Sequence, residues 1–412
     1  MGKQVPPKNV SILGGGIGGL ATALALAKRG IAVDLFEQSP ALTAVGAGIQ
    51  ISPNGCAVLA ALGLLDEAAK ISDTPSAVQF CSGKTGRHIA RVPLGFGAVL
   101  RWGFPYWQFH RIDLLDLLAE SAVAAGVKLH TGKAMLRVKV DEMTARLEFV
   151  DGSSHETGCL IAADGVRSQV RRQMFTDTSV QFTGHVAWRA VISADAMQVR
   201  HPTATLIHVA PGRHTVSYPI AGSSLINLVA VEERSDWAAE GWSIAGDLAE
   251  LRAKFGDWPE PVGTLVRTCH KAYLWGLFDH QALETWSKGP VTLLGDAAHP
   301  MLPFLAQGAT MALEDAFVLA RELANAPDIA TAFATYESLR KARCTRSQKV
   351  SAANARIYHQ RNPLKRLAQH TAMTLISHSL PSLFLNRFDW LYGANVTRQL
   401  AAQTSKSTQV GT

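Results

Sequence analysis

Cysteine is scarce in this chain of 412 residues and poorly placed for cross-linking. The five that occur, Cys56, Cys81, Cys159, Cys269 and Cys344, are odd in number, far apart and never two in a C-x-x-C spacing. That excludes a disulfide framework and a zinc ribbon, and it points to a reducing, cytoplasmic setting. Charge is thin as well: 18% of residues against 47% hydrophobic, which excludes a disordered chain. Convincing membrane spans are missing. Residues 9–27 carry no charge, but five glycines interrupt them, and residues 367–386 contain Gln369, His370 and Pro381. Internal repeats and low-complexity tracts are also absent. What remains is a folded chain long enough for two or three domains.

The formal net charge of +7 is unevenly spread. From Arg340 to the end there are twelve Lys and Arg residues against the single acid Asp389, so the preceding part is net acidic. Such a tail offers peripheral contact with an anionic membrane surface, and a solvated helical face is its plainer use. A nucleic-acid partner is not expected, and the chain is expected to be a monomer or a homodimer.

The glycines near the N-terminus have their own explanation. Val10–Leu13 is a short apolar strand, followed by GGGIGG (Gly14 to Gly19) and then by an Ala- and Leu-rich stretch that favours helix. This is G-x-G-x-x-G in the strand-turn-helix context it requires. Gly14 permits the turn, Gly16 lets the backbone approach a pyrophosphate, and Gly19 allows close packing of helix on strand. A second strand, residues 31–36, ends at Glu37, where an acid hydrogen-bonds a ribose hydroxyl. An acid there selects an unphosphorylated adenosine ribose, hence FAD or NAD. Two later stretches, LIAADGVRSQVRR from Leu160 and VTLLGDAAHPMLPFLAQGATMALEDA from Val291, also read as strands ending in acid-glycine turns. A nicotinamide fold has no need of the second.

Together GGGIGG with Glu37, Asp164-Gly165, and Gly295-Asp296 with Pro300 resemble the three signatures of the flavin-dependent aromatic hydroxylases, the group A flavoprotein monooxygenases. The likeness runs from about residue 8 to 345. It is nearest to the salicylate hydroxylase and 3-hydroxybenzoate 6-hydroxylase branch, judged from Gly46-Ala-Gly-Ile49, Pro53-Asn54, His110-Arg111, Tyr218-Pro219, Val231-Glu-Glu-Arg234 and GDAAHPMLP. The resemblance implies an α/β chain: a Rossmann-like FAD-binding domain, an inserted mostly antiparallel β-sheet substrate domain, and a C-terminal helical segment. The FAD-binding domain would be discontinuous, at 1–72, 100–180 and 285–345. The substrate domain would take 73–99 and 181–284, and the helical segment and tail 346–412. It further implies FAD as cofactor, NADH or NADPH as a transient reductant, O2, and a phenolic or carboxylated aromatic substrate hydroxylated through a flavin C4a-hydroperoxide. The chain has no second G-x-G-x-x-G, which fits a nicotinamide without its own fold. Two alternatives stay open: a membrane-associated hydroxylase of ubiquinone precursors, and a non-oxygenating flavin reductase of the same fold.

By the same resemblance the cofactor would meet Gly14, Gly16, Ile17, Gly18, Gly19, Glu37, Gln38, Gly48, Arg111, Leu136, Asp164, Asp296, Gly308 and Ala309. For catalysis, the run Gly212–Pro219 places His214, Val216 and Tyr218 on one face by the period of two. His214 and Tyr218 would face the ring, a neutral imidazole there being able to take a phenolic proton. Trp188, Arg189 and Pro300 are expected to border the substrate, the Arg as a carboxylate partner. Pro303 stands where some related 3-hydroxybenzoate enzymes carry a Gln that touches substrate, a departure that counts against that particular compound. No metal is expected, since His299 has no second ligand at useful spacing. Glu314-Asp315 are expected to pair with arginines of the stretch Tyr336–Arg343.

Overall fold

The computed structural model describes residue 7 and residues 9–42, 47–175, 181–235 and 244–398. Gly46 of the motif quoted above and the tail residues 399–412 lie outside the described residues.

Asn9–Leu13 is the centre of a six-stranded sheet ordered Ser287–Lys288, Val291–Leu293, Leu160–Ala162, Asn9–Leu13, Ala32–Phe36, Lys128–His130. All neighbours are parallel except the first pair. Val10, Ser11, Ile12 and Leu13 are all buried, and because successive residues point to opposite faces, both faces of this sheet are covered. The helix Ile17–Ala27 packs between the helices Gly308–Asn325 and Arg111–Ala124. Three segments far apart in sequence thus build one nucleotide-type layer.

The alternating runs between 181 and 279 become strands of an eight-stranded sheet. Its order is Ile244–Ala245, Tyr273–Asp279, Gln181–Ser193, Leu225–Glu233, Arg213–Ile220, Thr205–Ala210, Ala77–Ser82, His88–Pro93. Pairing is antiparallel except where Thr205–Ala210 lies parallel to Ala77–Ser82. The period of two divides its residues cleanly. Val186, Trp188, Ala190, Leu228 and Ala230 form one apolar face against the helices Leu248–Phe255 and Val262–Thr268. Arg189, Val229, Val231, Val216, His214 and Tyr218 face the other way, toward the nucleotide layer.

The 30-residue helix Ile329–Tyr358 is about 45 Å long and carries the chain from one layer to the other. Two further helices, Pro363–Ser379 and Pro381–Tyr392, fold back over the strand His88–Pro93. The second is fastened by Asp389, which accepts from Arg101 Nη2 at 2.7 Å and from Trp102 Nε1 at 2.8 Å. Among the described residues no helix is long and apolar enough to cross a membrane. The five cysteines are all buried and unpaired.

Candidate active site

Between the two layers lies a cavity of about 1210 Å³. Beside its nucleotide wall, outside the lining itself, stands the glycine turn. Gly14 has φ +108°, and a Cβ on it would stand 2.4 Å from the carbonyl oxygen of Ala163; a Cβ on Gly19 would stand 2.0 Å from the oxygen of Gly14. These two glycines are demanded by the protein's own packing. Gly16 is different: nothing lies within 4 Å of the place its Cβ would take, so the space before it is free for a group the chain does not itself supply. Gly18 packs against Leu294 and Ala312. The helix that opens at Ile17 has no side-chain cap and no acid in its first turn, which leaves its N–H groups and positive dipole end for an anion. The helix opening at Gly308 is uncapped in the same way, and Gly308 and Ala309 line the cavity.

Glu37 ends its strand with Oε2 accepting from Gly15 N at 2.7 Å and Oε1 from Ser39 N at 2.9 Å. A carboxylate has about four acceptor positions, so two remain for ribose hydroxyls. Gln38 is exposed beside it. Leu136 does not reach the cavity: it is an exposed residue of the strand Met135–Val140, in a small antiparallel sheet whose approach passes Glu37 through the bond from Lys133 N to Glu37 O, 2.8 Å. Asp164 is also not in the cavity lining. Its Oδ2 accepts from Gln169 N at 2.8 Å, which caps the helix Gln169–Met174, while its Oδ1 is buried with no partner; burial raises its pKa. The adjoining turn abuts Gly14.

The segment Gly295–Pro300 carries the rest of the wall. Asp296 opens into the cavity, yet lies deep in the molecule. Burial therefore raises its pKa, opposed by His299 and Arg111, with Asp315 adding to the rise. Pro300 lines the cavity, its carbonyl held by Gln348 Nε2 at 2.8 Å. A buried ion cluster pins this loop from below. Arg340 donates to Asp315 at 2.7 Å and to Glu314 at 2.5 Å, Arg343 grips Glu314 at 2.8 Å, and Asn54 Nδ2 donates to Glu314 at 2.6 Å. Asp315 Oδ2 also accepts from Gly295 N at 3.2 Å and sits 2.5 Å from His299 Nε2. Burial opposes the charge on Asp315, but His299 and Arg340 hold its carboxyl down at about 2. Asp315 and Cys344 together give His299 neighbours with metal-ligating atoms, which local spacing did not disclose. Arg340 already neutralises that carboxylate, so the group reads as an ion cluster.

The opposite wall is the inner face of the large sheet. Gly48 brings the strand Gly48–Ile51 so close that a Cβ on it would stand 2.6 Å from the Tyr218 ring, and its N donates to Asn227 Oδ1 at 2.7 Å. Burial lifts the Tyr218 hydroxyl above its ordinary range, moderated by Arg189 and Gln50. Arg111 opens the helix Arg111–Ala124 and faces the cavity. Arg189 also faces it, its guanidinium 4.5 Å above the Trp275 ring, with Nε buried and unbonded. No carboxylate of the described residues lies within ion-pair distance of Arg189. Burial, and then Arg111, lower its pKa to about 10. Trp188 must be corrected: adjacent strand residues face opposite ways, and it lies on the outer face, packed on Gly246 with its Nε1 3.4 Å from Glu232.

His214 is buried on the cavity wall with its Nδ1 2.7 Å from His359 Nε2. Burial, then His359 and His185, drives its pKa well below the ordinary imidazole range, so the ring is neutral. Sequence reading missed His359, which ends a helix 145 residues away, and missed the cavity contribution of the C-terminal helices through Met373, Ile376 and Phe388. Nothing in local spacing signals either.

An uncapped helix start in the cavity wall, a second at the neighbouring glycine turn and a neutral histidine on the facing sheet suit an enzyme that holds a nucleotide cofactor. Residues 8–351 match the FAD binding domain, and the chain belongs to that family of flavin-dependent hydroxylases. It is 34% identical over 388 residues to a 3-amino-4-hydroxybenzoate 2-monooxygenase of Streptomyces platensis, covering 93% of this chain and 95% of that one. With a 3-hydroxybenzoate 6-hydroxylase of Polaromonas naphthalenivorans it shares 36% over 396 residues, 95% and 97% of the two chains. A salicylate hydroxylase substrate complex has the same fold, with a TM-score of 0.78 at 24% identity over 95% of this chain and 97% of that one.

Proposed function

We infer that the protein is an FAD-dependent monooxygenase, supplied with electrons by NADH or NADPH and with oxygen by O2, whose substrate is a monocyclic aromatic bearing both an ionised carboxylate and a phenolic hydroxyl. In this reading residues 1–72, 100–180 and 285–345 hold the flavin, and 73–99 with 181–284 cover the substrate. Bound FAD supplies the activation of oxygen. The chain's own residues bind, orient and deprotonate the ring.

The carrying observation is Arg189, a half-buried residue that faces the cavity with its Nε buried and unbonded and with no carboxylate partner among the described residues. A buried charge left unpaired is expensive, and an arginine fork fits a carboxylate in two-point contact. His214 supports the second half of the assignment as a neutral acceptor. Register places the two at opposite ends of one patch: Arg189 pairs with Val229, which pairs with Val216, one same-face step from His214. Strand spacing then sets their Cα atoms about 12 Å apart.

Turnover of NADH and NADPH by the FAD-loaded protein in air tests this against a panel of hydroxybenzoates, their methyl esters and the parent phenols, with product and peroxide quantified together. A free acid is expected to accelerate oxidation with hydroxylated product, and its ester to fail. Arg189→Met is expected to raise KM for the acid about 100-fold, roughly the worth of a buried charge-assisted pair. Equal turnover of acid and ester would remove the carboxylate from the assignment.

A further inference from the structure

His214 does not stand alone. Behind it, away from the cavity, its Nδ1 meets His359 Nε2 at 2.7 Å, and His359 Nδ1 lies 3.3 Å from Glu233 Oε1, within ion-pair distance but off the line of a hydrogen bond. The side chains of His214 and His359 are almost wholly buried, whereas Glu233 is 29% exposed. The line therefore begins at the substrate wall and ends at solvent. Arg361 binds the other oxygen of Glu233, Oε2, through Nε at 2.8 Å, which leaves Oε1 to the imidazole. A further titratable neighbour is His185, whose ring centre lies 5.1 Å from that of His359 and whose Nδ1 is 3.3 Å from Thr183 Oγ1. Phe304 and Tyr358 pack on His214 and keep water from its flank.

We propose that His214, His359 and Glu233 form a proton relay that carries the substrate's phenolic proton from the cavity to bulk water. This rests on the reading of His214 as the group facing the phenol. At the start each imidazole carries its proton on Nδ1. The phenol O–H breaks as an N–H forms at His214 Nε2. The Nδ1–H of His214 passes to His359 Nε2, and a small rotation of the part-exposed Glu233 carboxylate brings Oε1 into line to take the Nδ1–H of His359 and hand it to water. The substrate is left as phenolate, each ring still holds one proton, and no imidazolium stays buried. Passage in the reverse direction reprotonates the hydroxylated product and restores both rings.

The chemistry of the site favours transfer over storage. Burial disfavours a cation on either imidazole, and the ring of His359 has its pKa lowered to about 4 by burial and by His185, against the pull of Glu233. A proton taken up at Nε2 is thus pushed onward. His185, Glu233 and His359 also bring ligand-type atoms within 4.8 Å of one another, but Arg361 already neutralises Glu233.

The test follows phenolate formation by stopped-flow absorbance when FAD-loaded protein binds 3-hydroxy-4-nitrobenzoate, below the pKa of the free probe. Wild type is expected to form phenolate with a proton inventory that bows, as more than one proton in flight requires. His359→Gln is expected to slow it about 10- to 100-fold with probe affinity unchanged, and Glu233→Gln to slow it less, since water reaches that end. His214→Gln is expected to abolish it. Wild-type rates in both His359→Gln and Glu233→Gln, with His214→Gln inactive, would overturn the relay and leave the base assignment standing. Phenolate formed at full rate by His214→Gln, or none by wild type, would overturn the underlying reading as well. Should His359→Gln fail to retain flavin, the wild-type inventory and Glu233→Gln decide: a linear inventory with an unchanged Glu233→Gln rate sinks the relay. Loss of phenolate after EDTA treatment, restored by zinc, would assign the cluster to a metal and do the same.

Discussion

Gly16 and Gly19 lie three positions apart, and alanine is expected to separate their roles. At Gly19 the new Cβ would press into the Gly14 carbonyl, and overpacking of that kind costs about 1–3 kcal/mol. At Gly16 φ is −77° and the space is open, so alanine is expected to leave the apoprotein's stability within about 0.5 kcal/mol while weakening FAD. Thermal melts of the two apoproteins beside flavin titrations distinguish the cases. Buried imidazoles make a second expectation. His201, His208 and His280 are each lowered by burial to about 4, below their unfolded value near 6.5. Their contribution is complete above that unfolded value and is lost as pH falls toward 4, because the unfolded chain takes up protons that the folded one refuses. Each imidazole weakens stability by about 1.4 kcal/mol per pH unit inside that window. Urea midpoints flat between about pH 7 and 4 would refute it. The glycine turn and Glu37 were legible because their geometry is local. Arg189 and Trp188 show where legibility ends: sequence named the strand, and alternation allowed one of the two into the cavity, but which one depends on the register of the strands beside it.

At the scale of elements, the helices Gly308–Asn325 and Ile329–Tyr358 are joined through Glu314, Asp315, Arg340 and Arg343. Arg340→Met leaves Asp315 buried with His299 as its ion-pair partner among the described residues and is expected to cost about 3–5 kcal/mol. Because Asp315 also holds Gly295 N, the same variant is expected to weaken FAD binding, read as flavin released on gel filtration. Pairing of the acidic residues with that second helix was readable from residue types at helical spacing. The contact of Asp315 with His299, sixteen residues apart across a turn, was not, since the turn's path is set by tertiary packing. The strands between 181 and 233 were visible in their alternation, whereas the parallel pairing of Thr205–Ala210 with Ala77–Ser82 joins segments over a hundred residues apart and leaves no local trace.

For the molecule as a whole, the C-terminal helices complete the cavity wall. Removing residues 363–412 would open that side to water. The shortened protein is expected to keep oxidising NADH or NADPH with substrate present, but to convert several-fold more of it to peroxide, since exclusion of water protects the oxygen-transfer chemistry. The ratio of product to peroxide reads this directly, and an unchanged ratio would deny the helices that role. The sequence displayed these helices but not their place, because their apolar residues suit a packing helix by default and a dimer contact or a membrane surface besides.

The order in which the walls appear along the chain has a bearing on biogenesis. The central strand near residue 9 must wait for Leu160–Ala162, and that strand for Val291–Leu293, before the sheet that presents Gly16 is complete. The uncapped helix at Gly308 follows later still. A nascent chain emerging from the ribosome therefore has no finished flavin cradle until Gly308 has been made, and pairings of such long sequence separation form slowly. Flavin capture is therefore expected to follow synthesis of the helix that opens at Gly308, late in the making of the chain.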